Sequence, residues 1–230
     1  MRYEAKILGY DGKRLLLAPS ASIDRDVLQK QVNTVEIRLV DGRELTAAQR
    51  RKIFAIISDI CAWNGDPIED MRQYQRELFC AEYGYPPFSL HDVDRTTARE
   101  FIDHLINFCF RHNVPTSDTL LNCCDDVGRY LYMCLEHRKC AICNDPAEVH
   151  HVDRIGMGRD REQIVHIGLR AVALCRQHHN EAHAGEKDLF ERYHIHGIKL
   201  DKYLCDCLSL NTKERTEHHE TNDTSTVYGY

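Results

Sequence analysis

The sequence predicts an α+β fold in two parts: a mixed strand-and-helix half, then a smaller half stapled by metal ligands. Three observations carry this reading. Residues 34–40 (T-V-E-I-R-L-V) alternate apolar and polar with period two, the pattern of a half-buried strand. Residues 46–63 open on a helix capping box and carry isoleucines at helical spacing. Residues 140–183 gather cysteines and histidines into close pairs.

Composition bounds the possibilities. A chain of 230 residues with 43% hydrophobic content can bury one large core or two small ones. No apolar run is long enough to span a bilayer, and the opening residues M-R-Y-E-A-K-I-L-G-Y lack a signal core. The expectation is a cytoplasmic protein without membrane contact. In that compartment the eleven cysteines stay reduced, as core residues or metal ligands. The net charge of −6 is unevenly spread: +3 over residues 1–60, −7 over 61–136, +1 over 137–200 and −3 over 201–230. Contact with nucleic acid would therefore use the first and third of these stretches, through local patches.

Taken in order, residues 3–9 and 13–18 read as strands joined at Tyr10-Asp11-Gly12, because Asp-Gly tolerates the positive φ of a tight turn. Residues 22–32 form a short polar helix candidate, and Asp41-Gly42 closes the strand at 34–40. Thr46 and Gln49 make the capping box of a helix to about Trp63, with Ile53, Ile56, Ile57 and Ile60 as its buried stripe. Arg50, Arg51 and Lys52 cluster in its first turns, where positive charge opposes the helix dipole. Residues 67–83 form a second helix, entered through Pro67. Asp94 or Thr96 caps a third to about His112, with Phe101, Leu105 and Phe108 on its apolar face; Asn113 and Pro115 end it. Ser117 caps a fourth helix to about His137. Cys61, Cys80, Cys109, Cys123, Cys124 and Cys134 fall in these helices as small core residues, and Trp63, Tyr74 and Tyr83 fit core positions better than base-stacking ones. Beyond His183, Ala184-Gly185 stops a helix, residues 187–193 form another that packs Leu189 and Phe190, and 200–210 an amphipathic element. His194, His196 and Cys205-x-Cys207 read as surface or packing residues. From about residue 211 the chain has too little apolar surface to offset ordering entropy, so a disordered tail is expected.

Two ligand sets are interleaved between Cys140 and His183. Cys140, Cys143, Cys175 and His178 form two close pairs about thirty residues apart, the spacing of a closed tetrahedral zinc site. His179 and His183 lie one turn apart on one helix face, and the doublet His150-His151 precedes them. Together these histidines suit a cation site with an open face. The plainer alternative is a structural zinc knuckle with spectator histidines.

This stretch, from residue 138 to about 200, resembles the HNH endonucleases of ββα-metal fold, in particular those encoded in phage recombination regions. The resemblance implies a structural zinc on Cys140, Cys143, Cys175 and His178. It implies a catalytic divalent metal (Mg2+, Mn2+, Ni2+ or Zn2+) on His150, His179 and His183, with His151 as general base, its ring oriented by a backbone carbonyl. Arg154, Arg159, Arg161 and Arg176 become candidates to grip phosphates. Two positions depart from the pattern: His178 stands where a cysteine is usual, so that His179 could compete for the zinc, and Arg170 stands where an asparagine is usual. Asn180 lies inside the helix and does not take that role.

Residues 45–60 (L-T-A-A-Q-R-R-K-I-F-A-I-I-S-D-I) with Trp63, and more weakly 99–108, resemble the NinB (Orf) family of phage recombination mediators. That resemblance implies single-stranded DNA binding, for which Arg50, Arg51 and Lys52 are candidates, and a homodimer. The domains expected are 1–115 (DNA-binding), 116–137 (connecting helix), 138–208 (HNH) and 209–230 (tail). The function expected is metal-dependent cleavage of duplex, branched or single-stranded DNA, alongside host or phage recombination proteins. The alternative is an inactive single-stranded-DNA-binding accessory protein on a retained HNH platform.

Overall fold

Asp11 and Gly12 make the first turn. The Asp11 carboxylate accepts from the amides of Lys13 and Arg14 at 3.0 and 2.7 Å, and Gly12 takes φ 92. The turn joins β1 (Ala5–Tyr10) to β2 (Leu15–Pro19) as an antiparallel pair with a register shift between Ile7 and Gly9. The computed structural model describes residues 5–20, 22, 37, 43–153 and 164–212. The expected helix at 22–32, the strand at 34–40 and the tail lie essentially outside them. The chain divides into two compact units, residues 1–117 and 118–230.

In the first unit, helix α1 (Ala47–Asn64) starts where the capping box predicts. Thr46 accepts from the Gln49 amide and the Gln49 side chain accepts from the Thr46 amide. Ile53, Ile56, Ile57 and Ile60 are at most 1% exposed, and burying each such side chain contributes about 1.5–3 kcal/mol. Gly65 stops the helix in the left-handed conformation, φ 82. Helix α2 (Ile68–Tyr83) begins after Pro67, with Glu69 and Asp70 favourably placed in its first turn. Asp94 caps helix α3 (Arg95–His112), accepting from the Thr96 and Thr97 amides. Phe101 and Leu105 are buried as expected, but Phe108 is only half-buried, against His112; Ile102, Ile106 and Cys109 complete the inner face. Trp63, Tyr74 and Tyr83 are 45%, 51% and 43% exposed, so they are not the core residues expected. Cys80 and Cys123 are also only half-buried, whereas Cys61, Cys109, Cys124 and Cys134 are interior.

His104 is 4% exposed inside this unit, with Nε2 3.1 Å from Gln75 Oε1. Burial holds its imidazole down at about 4, and the Arg111 charge acts the same way. Glu82 Oε2 lies 3.4 Å from Nδ1, but that carboxylate is partly in water and lies 3.7 Å from Arg111, so burial dominates. The unfolded chain therefore binds a proton at this residue near pH 6.5 that the folded chain refuses until about pH 4. Stability should fall as pH falls through that window, by about 3 kcal/mol in all. An NMR titration of the His104 ring checks this: charge gain above pH 6 would contradict it.

In the second unit the single helix expected from Ser117 to His137 is two. The Ser117 amide and hydroxyl bond Asp59 instead of capping. A short α4 (Leu120–Cys123) ends at Cys124 in extended conformation, and Asp126 caps a fresh α5 (Val127–Glu136) through the Arg129 amide. Three antiparallel strands follow in the order β3 (Glu148–His151), β4 (Arg170–Leu174), β5 (Ile198–Lys199). Residues Ala171 to Leu174 are at most 2% exposed, covered by α5 and by α6 (Arg176–Tyr193). Gly185 does not stop α6 but kinks it, with φ −169 and ψ 74. Asp201 caps the last helix, α7 (Lys202–Leu208), which buries Leu204, Cys205 and Leu208. No helix among the described residues is long and apolar enough to cross a membrane.

Candidate active site and metal centre

The first cysteine pair sits on a tight turn between α5 and β3. The Cys140 amide donates to Asp145 O at 2.7 Å and the Asn144 amide to Cys140 O at 2.9 Å, with Asn144 left-handed at φ 64. The Ala141 amide ties the turn to Ala173 O on β4 at 2.9 Å. The second pair straddles a helix start: Cys175 is the N-cap residue of α6 and His178 lies in its first turn. The Sγ atoms of Cys143 and Cys175 are 3.7 Å apart. His178 Nδ1 lies 3.4 Å from Cys140 Sγ, 3.7 Å from Cys143 Sγ and 3.2 Å from Cys175 Sγ. A tetrahedron with Zn–S of about 2.3 Å and Zn–N of about 2.0–2.1 Å has edges of about 3.8 and 3.5 Å, so the donor set fits a zinc ion. Burial pushes the Cys140 and Cys143 thiols up, so water-excluded sulfurs here favour the neutral form unless a cation holds them as thiolates.

The second cluster is at the junction of β3 and α6. Successive strand residues face opposite sides, so the doublet splits: His150 turns towards α6 and His151 away. One donor atom each from His150, His179 and His183 lies within 4.8 Å of the others. The three ring centroids stand 4.6–5.2 Å apart. His150 is buried, His179 half-buried and His183 exposed, which leaves one side of the cluster open. Burial lowers the His179 pKa, and the neighbouring His150 and His183 lower it further, which favours the neutral ring a metal needs. His179 thus stands with this cluster, while His178 stands with the sulfurs.

His151 is half-buried, with Nε2 2.9 Å from Nδ1 of His166. Its expected partner, a backbone carbonyl, is replaced on that nitrogen by this side chain. Burial lowers both imidazoles, and the His166 and His150 charges lower His151 further. His166 was not singled out in the sequence: it lies fifteen residues from His151, with no motif spacing to mark it. Glu186 was also missed. The kink at Gly185 brings its carboxylate 2.8 Å from His150 Nε2, where it can orient that ring.

Arg170 is engaged with one carboxylate. Its amide, Nε and Nη2 all donate to Asp153, at 2.6, 3.0 and 2.6 Å. This closes the two ends of the segment between β3 and β4. Arg176 pairs with Glu148 at 2.7 Å, and the other Glu148 oxygen lies 4.0 Å from His179 Nδ1. Arg154, Arg159 and Arg161 lie outside the described residues. In the first unit Arg50 donates to His91 O at 3.2 Å, Arg51 is exposed and Lys52 half-buried.

A β-hairpin-and-helix unit with a cysteine-pair staple and three converging histidines defines the class as an HNH-type ββα-metal fold. Residues 20–211 match the family described as Putative HNHc nuclease, and the chain belongs to that family. No curated protein and no solved structure matches the chain. The match runs through the first unit as well, and nothing in the comparisons supports the NinB resemblance or the phage recombination context drawn from it.

Proposed function

We propose that the chain is a metal-dependent HNH endonuclease that hydrolyses DNA phosphodiester bonds, with a structural zinc on Cys140, Cys143, Cys175 and His178. The observation that carries this reading is the convergence of His150, His179 and His183 beside a separate, half-buried His151. Three imidazoles with an open side would hold a divalent cation, Mg2+, Mn2+, Ni2+ or Zn2+. A cation held by His150, His179 and His183 would supply Lewis-acid stabilisation of the charge that develops on the phosphate and the departing 3′ oxygen. His151 takes the proton of a water whose oxygen bonds to phosphorus as the bond to the 3′ oxygen breaks. Its lowered pKa keeps it a base at neutral pH. Arg176 holds a flanking phosphate; its exposed pairing with Glu148 is of the kind worth about 0–1 kcal/mol, easily exchanged for an anion. Arg154, Arg159 and Arg161, and the basic cluster Arg50, Arg51 and Lys52, would add sequence-independent contacts to the backbone.

The test is cleavage of supercoiled plasmid, single-stranded circle and branched DNA in magnesium, manganese, nickel or zinc. Cutting that a chelator abolishes is the expected result. DNA bound but never cut, under any of the four ions, would overturn the nuclease reading in favour of an inactive DNA-binding platform.

A further inference from the structure

We propose that His166 is a positioning residue for the general base: its Nδ1 accepts the Nε2–H of His151 and so leaves His151 Nδ1 as the nitrogen that takes the proton from water. The inference rests on the nuclease reading and adds a residue to it. Two ring nitrogens 2.9 Å apart share one hydrogen, so one ring donates and the other accepts. If His166 donated, His151 would carry its own proton on Nδ1, and neither of its nitrogens would be free to act as a base. Only the opposite assignment leaves His151 competent. It places the His166 proton on Nε2.

The surroundings make His166 a fixed acceptor. It is 9% exposed, and its backbone is tied at both ends: its amide donates to Asn211 O at 2.9 Å and its carbonyl accepts from the Leu169 amide at 3.1 Å. Gly168, at φ 85, then donates to Leu200 O at 2.8 Å, next to β5. The Asp153–Arg170 contact anchors the same segment two residues beyond His151. A buried side chain on an anchored backbone holds its partner's rotamer and tautomer, as the groups behind a catalytic histidine do generally. His166 does not touch the reacting atoms; it acts through His151.

The experiment uses the full zinc-loaded chain and plasmid turnover, with His166→Ala beside His166→Asn. The asparagine Oδ1 can stand where Nδ1 stands and accept the same hydrogen. His166→Ala should lower kcat about 10²-fold, part of the 10²–10⁴-fold that a positioned base supplies. KM, zinc content and melting should stay near wild type. His166→Asn should recover kcat to within about tenfold of wild type. Nitrogen NMR of the labelled wild type should show His151 protonated on Nε2. Full-rate cutting by His166→Ala overturns the inference, as does a correctly melting His166→Asn no faster than the alanine variant, or a His151 proton on Nδ1. Should His166→Ala fail to fold, the asparagine variant and the NMR assignment still decide. A wild type that cuts no DNA overturns the nuclease reading and the catalytic role with it; a His151 proton found on Nε2 in that case shows that the failure lies with the activity and not with the hydrogen bond.

Discussion

Cys140→Ser, or a strong chelator, should unfold the second unit. Cys140 Sγ is fully buried within 3.4 Å of His178 Nδ1, and a serine oxygen neither reaches as far nor binds zinc as a thiolate does. Structural zinc contributes on the order of 10 kcal/mol or more to folding in small domains, against a total stability of about 5–15 kcal/mol for a typical protein. The rest of this unit is poorly placed to compensate: its sheet has strands of four, five and two residues, and its helices α4 and α7 have four and seven. The zinc term also has a defined pH sign. Burial raises the Cys140 and Cys143 thiols, so zinc binding must release protons, and the staple weakens as pH falls. Circular dichroism should show loss of helix and strand on chelation, while the first unit, with its own isoleucine and phenylalanine core, keeps its melting transition. Unchanged dichroism and melting after verified zinc removal would rule out the staple.

How much of this was legible depended on how local each signal is. Two Cys-x2-Cys-like pairs and an H-x3-H are short-range statements about a turn and a helix face, and the structure brings those residues together. Helix α1 was equally legible, because its capping box and its isoleucine stripe agree. The segment 117–137 was not: Ser117 reads as a cap, but its amide and hydroxyl bond Asp59, and a separate helix starts at Asp126. His166 and Glu186 were invisible for a different reason. His166, in the segment that leads into β4, meets His151 only because β4 pairs back against β3, and Glu186 reaches His150 only because α6 bends at Gly185 without ending. Such contacts are made by tertiary structure, and no residue spacing announces them. The exposure of Trp63, Tyr74 and Tyr83 belongs to the same group: aromatic residues on a helix read as core until the packing is seen.

His151→Ala and His179→Ala should both abolish cleavage, but for separable reasons. β3 sends His150 and His151 to opposite sides, so removing the His151 ring leaves His150, His179 and His183 converging. His151→Ala should therefore bind manganese about as tightly as wild type, measured by calorimetry, while its cleavage rate falls by about 10²–10⁴-fold. His179→Ala removes one of the three proposed ligands, so ion binding and cleavage should be lost together. The pH profile of the wild type carries the same argument. The base form of His151 exists above its pKa, and burial depresses that pKa below the ordinary value near 6.5, so the acid limb of kcat/KM should fall below pH 6.5. If His151→Ala cuts at the wild-type rate, the base is another group. If it loses manganese as completely as His179→Ala, the doublet is not divided between ligand and base, and His151 belongs to the cation site.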